Sequence, residues 1–199
     1  MKNVIEYIKA NGGYARTREL RAAGFHTRDI KSSVESGDIE KVKSGLYKVA
    51  SAINGEKINP GFIDICKAFP KSVICLISAA EFHGLSSANP PLIYAAIPKS
   101  EKPPRIEYPP VKFYYWEETI YNPGIKKIKT ENGIVKIYDK EKTVCDLFRY
   151  REKLGEDIAI EALKNYLSDN DFNLNKLRKY AVETRIKGII TPYIKAIVG

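Results

Sequence analysis

The sequence predicts an α/β (α+β) chain: a small N-terminal segment of three helices and a hairpin, then a mixed α/β domain whose last third is helical. Three observations carry this. Over the first fifty residues, apolar positions recur at helical spacing in short blocks stopped by glycine. β-prone runs bracket Ser44-Gly45 and Asn132-Gly133, the pattern of tight hairpins. From Asp139 onward, helical blocks separated by caps and breakers fill the chain.

Taken in order, Val4, Ile5 and Ile8 are spaced for a short amphipathic helix ending at Gly12-Gly13. Thr17 is placed to cap a second helix, TRELRAA, which Gly24 closes in the left-handed conformation that glycine tolerates. After Phe25-His26, Thr27 is placed to cap a third helix, RDIKSSVES, with Asp29 in its first turn and Gly37 at its end. Ile39–Lys43 and Leu46–Val49 then form a hairpin. Helix, helix, tight turn, helix and hairpin make a winged helix-turn-helix, assigned to residues 1–52.

Ser51–Asn59 is polar and small, the composition of a linker ahead of an α/β domain over residues 60–199. Pro60 opens a helix stopped by Pro70, and Ser78 with Glu81 reads as a capping box for a helix ending at Gly84. Residues 92–97 and 111–115 are strand-like, joined by a proline-rich loop. Ile125–Lys129 and Ile134–Tyr138 flank the Asn132-Gly133 turn. Helices follow over 140–154, 156–167 and 174–184, with a last one opened by Thr191-Pro192.

Of the 199 residues, 44% are hydrophobic and 29% charged, a globular balance. Apolar runs such as Val73–Ile77 fall far short of the roughly 20 residues a membrane helix needs. The opening MKNVIEYIKANGG carries Glu6 in its apolar pattern and has no small-residue cleavage site, which predicts a chain without a signal peptide, located in the cytoplasm. Cys66, Cys75 and Cys145 are widely spaced among apolar residues and read as buried thiols. The net charge is +9, and residues 1–50 are its densest part, with ten Lys/Arg against six Asp/Glu.

The third helix has the sharpest functional signal. Ile30 and Val34 face the core, so Arg28, Ser32 and Glu35 project the other way with Lys31 on the flank. A helix fits the major groove of duplex DNA, where arginine bonds guanine bidentately and lysine or serine reaches bases or phosphates. Lys41, Lys43 and Lys48 lie on the hairpin, where a wing meets the DNA backbone, and Arg16 and Arg18 flank the start of the second helix. Arg16, Arg18, Thr27, Arg28, Lys31, Ser32, Lys41, Lys43 and Lys48 are therefore the candidate DNA-binding set. The bland alternative is a solvated basic face.

Catalytic signals are missing. His26 and His83 have no ligand-spaced cysteine or carboxylate, and there is no phosphate loop, nucleophile elbow or Gly-Ser nucleotidyltransferase signature. The expectation is a non-enzyme with no cofactor and no metal.

The blocks GGYARTRELRAAGFHTRDIKSSVESGDIEKVKSGLYKV, SAAEFHGL and IYDKEKTVCDLF, in this order, resemble the AbiEi antitoxins of bacterial type IV toxin–antitoxin (abortive infection) systems. The resemblance implies a transcriptional repressor whose winged helix binds inverted repeats in its own promoter, in a system conferring phage resistance. It also implies a C-terminal domain that antagonises a nucleotidyltransferase toxin without forming a stable complex with it. A monomer in solution that binds DNA cooperatively is expected. The alternatives are a regulator whose second domain senses a ligand or dimerises, and an RNA-binding module using the basic C-terminal helices and their tyrosines.

Overall fold

A computed structural model describes residues 3–50 and 58–198. The linker expected over Ser51–Asn59 lies, for residues 51–57, outside the described residues. The elements run α1 (Val4–Ala10), β1 (Tyr14–Arg16), α2 (Thr17–Ala22), α3 (Thr27–Glu35), β2 (Ile39–Lys43), β3 (Leu46–Val49), α4 (Pro60–Ala68), β4 (Val73–Ile74) and α5 (Leu76–Phe82). They continue β5 (Ile93–Pro98), β6 (Val111–Trp116), α6 (Glu118–Tyr121), β7 (Ile125–Thr130), β8 (Gly133–Tyr138), α7 (Lys140–Leu154), α8 (Glu156–Leu167), α9 (Leu174–Glu183) and α10 (Lys187–Val198). The mixed α/β class is as expected, with the winged-helix order at its start.

By its contacts the chain forms two compact units. The first comprises Met1–Pro70, Lys102–Val111 and Lys129–Val135, and the second Lys71–Glu101, Lys112–Ile128 and Lys136–Gly199. The first unit is therefore larger than the segment 1–52 and is not continuous in sequence. Its later pieces are held by specific bonds. Ile106 bridges Lys43, the Glu107 N–H donates to the Val42 carbonyl at 3.2 Å, and the Lys67 side chain lies over the Gly133 backbone. Such long-range pairings leave no local pattern in sequence.

In the first unit, α1, α2 and α3 bury Val4, Ile8, Leu20 and Ile30, and the α2–α3 turn buries Phe25, against Ala15, Ile39 and Val49 of a three-stranded antiparallel sheet ordered β1-β3-β2. Strand β1 has no counterpart in the sequence reading. Three residues between Gly12-Gly13 and a helix start are too few to show alternation. The Asp29 carboxylate accepts from the His26 N–H at 2.9 Å and the Glu19 carboxylate from the Arg16 N–H at 2.7 Å. The caps are therefore Arg16 and His26, one residue before the threonines assigned to that role. Thr17 and Thr27 are first helical residues.

The second unit holds most of a five-stranded sheet ordered β6-β5-β4-β8-β7, in which β4 runs antiparallel to β5 and parallel to β8. Its core gathers Trp116, Tyr138, Phe148, Leu163, Tyr166, Leu177 and Ile190 from the sheet and from α7 to α10. Two helix starts differ from expectation. Helix α5 begins at Leu76, because Ser78 is spent accepting the Tyr94 N–H at 3.0 Å, which ties the helix to β5. Helix α10 begins at Lys187 with Pro192 inside it, and the Thr191 hydroxyl donates to the Lys187 carbonyl at 2.6 Å.

The core of α7 carries a fully buried ion pair. Lys142 Nζ donates to both Asp146 oxygens, at 2.7 and 2.6 Å, with both side chains 0% exposed. The same ammonium stands 4.5 Å from the ring centroids of both Trp116 and Tyr138. Two aromatic faces and a bidentate carboxylate replace the water that burial removes. Burial pushes the Asp146 carboxyl up, against the opposing pull of Lys142. All three cysteines are buried, as their apolar surroundings in the sequence suggest.

Candidate nucleic-acid interface

Helix α3 turns Ile30 into the core and leaves Thr27, Arg28, Lys31 and Ser32 exposed. Ser32 borders a hollow shared with Asn3, Glu6 and Asp29. Thr27 Oγ1 accepts from the Arg21 guanidinium at 2.9 Å, so α2 and α3 are tied at the turn. Glu35 stands 3.6 Å from Lys31, an exposed i,i+4 pair worth little in water. Arg28 and Lys31 thus stand on the open face of the helix.

The wing hairpin turns at Ser44-Gly45, where Gly45 has φ +74°, a conformation that disfavours a side chain. The Gly45 carbonyl accepts the Thr17 N–H at 3.0 Å, joining the turn to the start of α2. At this end of the sheet Arg16 pairs with Leu46, and Leu46 pairs with Lys43. Arg16, Leu46 and Lys43 therefore form a row across the three strands, with two cations flanking one leucine. Burial lowers the Lys43 pKa, and the neighbouring Arg16 charge lowers it further. Arg18 is exposed in the first turn of α2.

Lys41 and Lys48 sit differently from the expected wing contacts. Lys48 is only 12% exposed, and its ammonium lies 2.8 Å from Asp64 and 3.3 Å from Glu40. Burial works to lower its pKa, but the two carboxylates raise it above the ordinary value. Lys41 pairs with Glu107 at 2.8 Å, which raises its pKa. The register slips between Lys41 and Lys43, so Val42 turns into the core and the alternation that treats the two lysines alike does not hold. The structure thus brings Arg16 and Lys43 together and ties Lys41 and Lys48 to acids.

Two residues of α4 enter this region unannounced. Asp64, 1% exposed, receives Lys48 and also the Tyr14 hydroxyl at 2.7 Å. Lys67 Nζ lies 5.2 Å from the Tyr14 ring centroid. The sequence signal for both is slight: they are the two charges in the otherwise apolar segment PGFIDICKAF.

Among the described residues no group of three His, Cys, Asp or Glu is placed to hold a metal ion, and no helix is long and apolar enough to cross a membrane. His26 is exposed at the α3 cap, and His83 Nε2 lies 2.7 Å from the Tyr138 carbonyl.

Residues 4–50 match the family described as "Transcriptional regulator, AbiEi antitoxin". The resemblance read from the sequence holds for this segment, which spans the three helices and the wing. That family is one of regulatory antitoxins and not of enzymes, and the match supports a DNA-binding antitoxin in general. A comparison with curated proteins finds no match to the chain.

Proposed function

We propose that the chain is an autoregulating DNA-binding antitoxin of the type IV kind, acting in the cytoplasm. In this reading α3 enters the major groove at inverted repeats in the chain's own promoter, presenting Arg28, Lys31, Ser32 and Thr27 to base edges. Arg16, Arg18 and Lys43 hold phosphates. Lys41 and Lys48 serve by fixing the wing to Glu107 and Asp64. The remainder of the chain, residues 60–199, opposes a nucleotidyltransferase toxin encoded alongside, without a stable complex, and the pair confers phage resistance. The observation that carries the reading is the exposure of Arg28 and Lys31 on α3 together with the Arg16–Lys43 row of the sheet, all within the segment matched to a regulator family.

Full-length protein tests it, because the contact-defined units interleave in sequence. The variant Arg28→Ala/Lys31→Ala is expressed from a foreign promoter beside the neighbouring toxin, with a reporter on the native promoter. The expected result is lost repression with growth protection retained. Simultaneous loss of both would tie protection to DNA binding and remove the separate antitoxin activity.

A second reading, a regulator that senses a small ligand, draws on a groove of about 360 Å³ between α9 and α10. Ala181, Ile190 and Ile194 floor it, and Arg178, Lys187 and Lys195 rim it, a composition suited to an amphipathic anion. A nucleotidyltransferase gene next door favours the antitoxin, and its absence favours the sensor.

A further inference from the structure

A cavity of about 420 Å³ in the first unit is lined by Arg16, Lys67, Glu19, Tyr7, Asn11 and Tyr14. Its two cations come from segments far apart in sequence. Arg16 ends β1, at the wing-turn end of the sheet, while Lys67 projects from α4, beyond the segment matched to the regulator family. Lys67 is held in place on two sides. A Cβ on Gly133 would come within 2.6 Å of Lys67 Cε, so the side chain lies directly on the hairpin backbone, and the Tyr14 ring stands under its ammonium.

The cations outnumber the anions here. Among the described residues neither Arg16 nor Lys67 forms an ion pair, and the Glu19 carboxylate, the one acid in the lining, is already accepting the Arg16 N–H at 2.7 Å. Burial lowers the Lys67 pKa, with Glu19 raising it and Arg16 lowering it again. A half-buried ammonium held beside a guanidinium gains most from a multivalent oxyanion, since phosphate accepts from both at once. Lys67 also lines a neighbouring hollow of about 350 Å³, where Lys129 and Glu131 supply one charge of each sign.

We infer that Arg16 and Lys67 form a phosphate-binding site, filled by a backbone phosphate of the duplex flanking the sequence that α3 reads. This rests on the DNA-binding reading for the source of the phosphate, though not for the site itself. A free organic phosphate offers the same chemistry. The site extends the DNA footprint beyond the family-matched segment and makes α4 part of the binding surface.

Two measurements on the full chain test it. The first is affinity for promoter and scrambled duplexes across a salt series, for the wild type, Lys67→Gln and Lys67→Arg. Loss of one phosphate contact flattens the slope of log K against log salt by about 0.9 and weakens both duplexes alike, while Lys67→Arg restores the wild-type slope. The second is calorimetric titration with pyrophosphate and with adenosine monophosphate in the absence of DNA. Saturable binding lost in Lys67→Gln, with an unchanged DNA slope, assigns the site to a free phosphate compound. A wild-type slope in Lys67→Gln together with no saturable phosphate binding overturns the inference. Failure of the wild type to bind duplex at all would instead refute the DNA-binding reading, leaving the calorimetry to decide the site.

Discussion

The Lys48 ammonium lies 2.8 Å from the Asp64 carboxylate, and the Tyr14 hydroxyl donates to the other oxygen of that carboxylate at 2.7 Å. One buried acid on α4 thus gathers β1 and β3, since Tyr14 and Lys48 are cross-strand partners. Lys48 is therefore a clasp. Lys48→Met strands a buried carboxylate and is expected to cost about 3 kcal/mol of stability. At a temperature where the variant stays folded, the salt dependence of DNA binding stays that of the wild type. Unfolding by urea and a salt series check the two halves of this statement. Unchanged stability with a flatter salt slope would return Lys48 to the DNA backbone.

On α3, Arg28→Ala is expected to cost about 1–3 kcal/mol on the cognate site and to relax its sequence preference. Lys43→Ala is expected to weaken every duplex equally. Glu35→Gln frees Lys31 from its carboxylate neighbour and removes a repulsive charge, so binding tightens on all sequences. Competition titrations against a panel of single-base operator variants separate these outcomes. A Lys43 variant with altered preference, beside an Arg28 variant with none, would exchange the two assignments.

In the second unit, removing one member of the Lys142–Asp146 pair leaves an uncompensated buried charge. Lys142→Met is expected to cost about 3–5 kcal/mol, read as a loss of thermal or urea stability. The double variant Lys142→Met/Asp146→Leu is expected to recover much of that loss, because the desolvation of both ions disappears with them. A double variant as unstable as the single one would show that the pair stabilises the unit by more than its desolvation costs.

His83 supplies a pH dependence. Burial holds its pKa below the ordinary 6.5, and the Lys140 and Lys126 charges push the same way, against the Tyr138 carbonyl and Asp139. The folded chain keeps the ring neutral while the unfolded chain protonates it near pH 6.5. Its contribution to stability is complete above about pH 6.5 and is lost as pH falls through the lower folded value. Unfolding midpoints at pH 7.5 and 5.5 are expected to differ more for the wild type than for His83→Gln. Equal differences would remove His83 from the account.

The parts of this molecule legible in its sequence are those set by local chemistry. Ile30 and Val34 fix which face of α3 is buried, and so predict that Arg28 and Lys31 stand open. Gly45 and Gly133 mark their turns because both adopt positive φ. What the sequence hides is set by partners distant along the chain. Lys41, Lys43 and Lys48 look equivalent on a hairpin, yet Glu107 and Asp64 engage two of them. The threonine caps are misplaced by one residue because the acids at Glu19 and Asp29 reach back to an N–H that either neighbour offers. The inclusion of α4 in the first unit depends on Tyr14, Lys48 and Gly133, none of which is near it in sequence.

Equilibrium titration of the purified chain with the duplex upstream of its own gene, and with a scrambled duplex of equal length and composition, tests the central claim most directly. At physiological salt the account predicts tighter binding to the upstream duplex, by a factor of about 10³ or more, and steep weakening of both complexes as salt rises. Equal affinity for the two duplexes would contradict it.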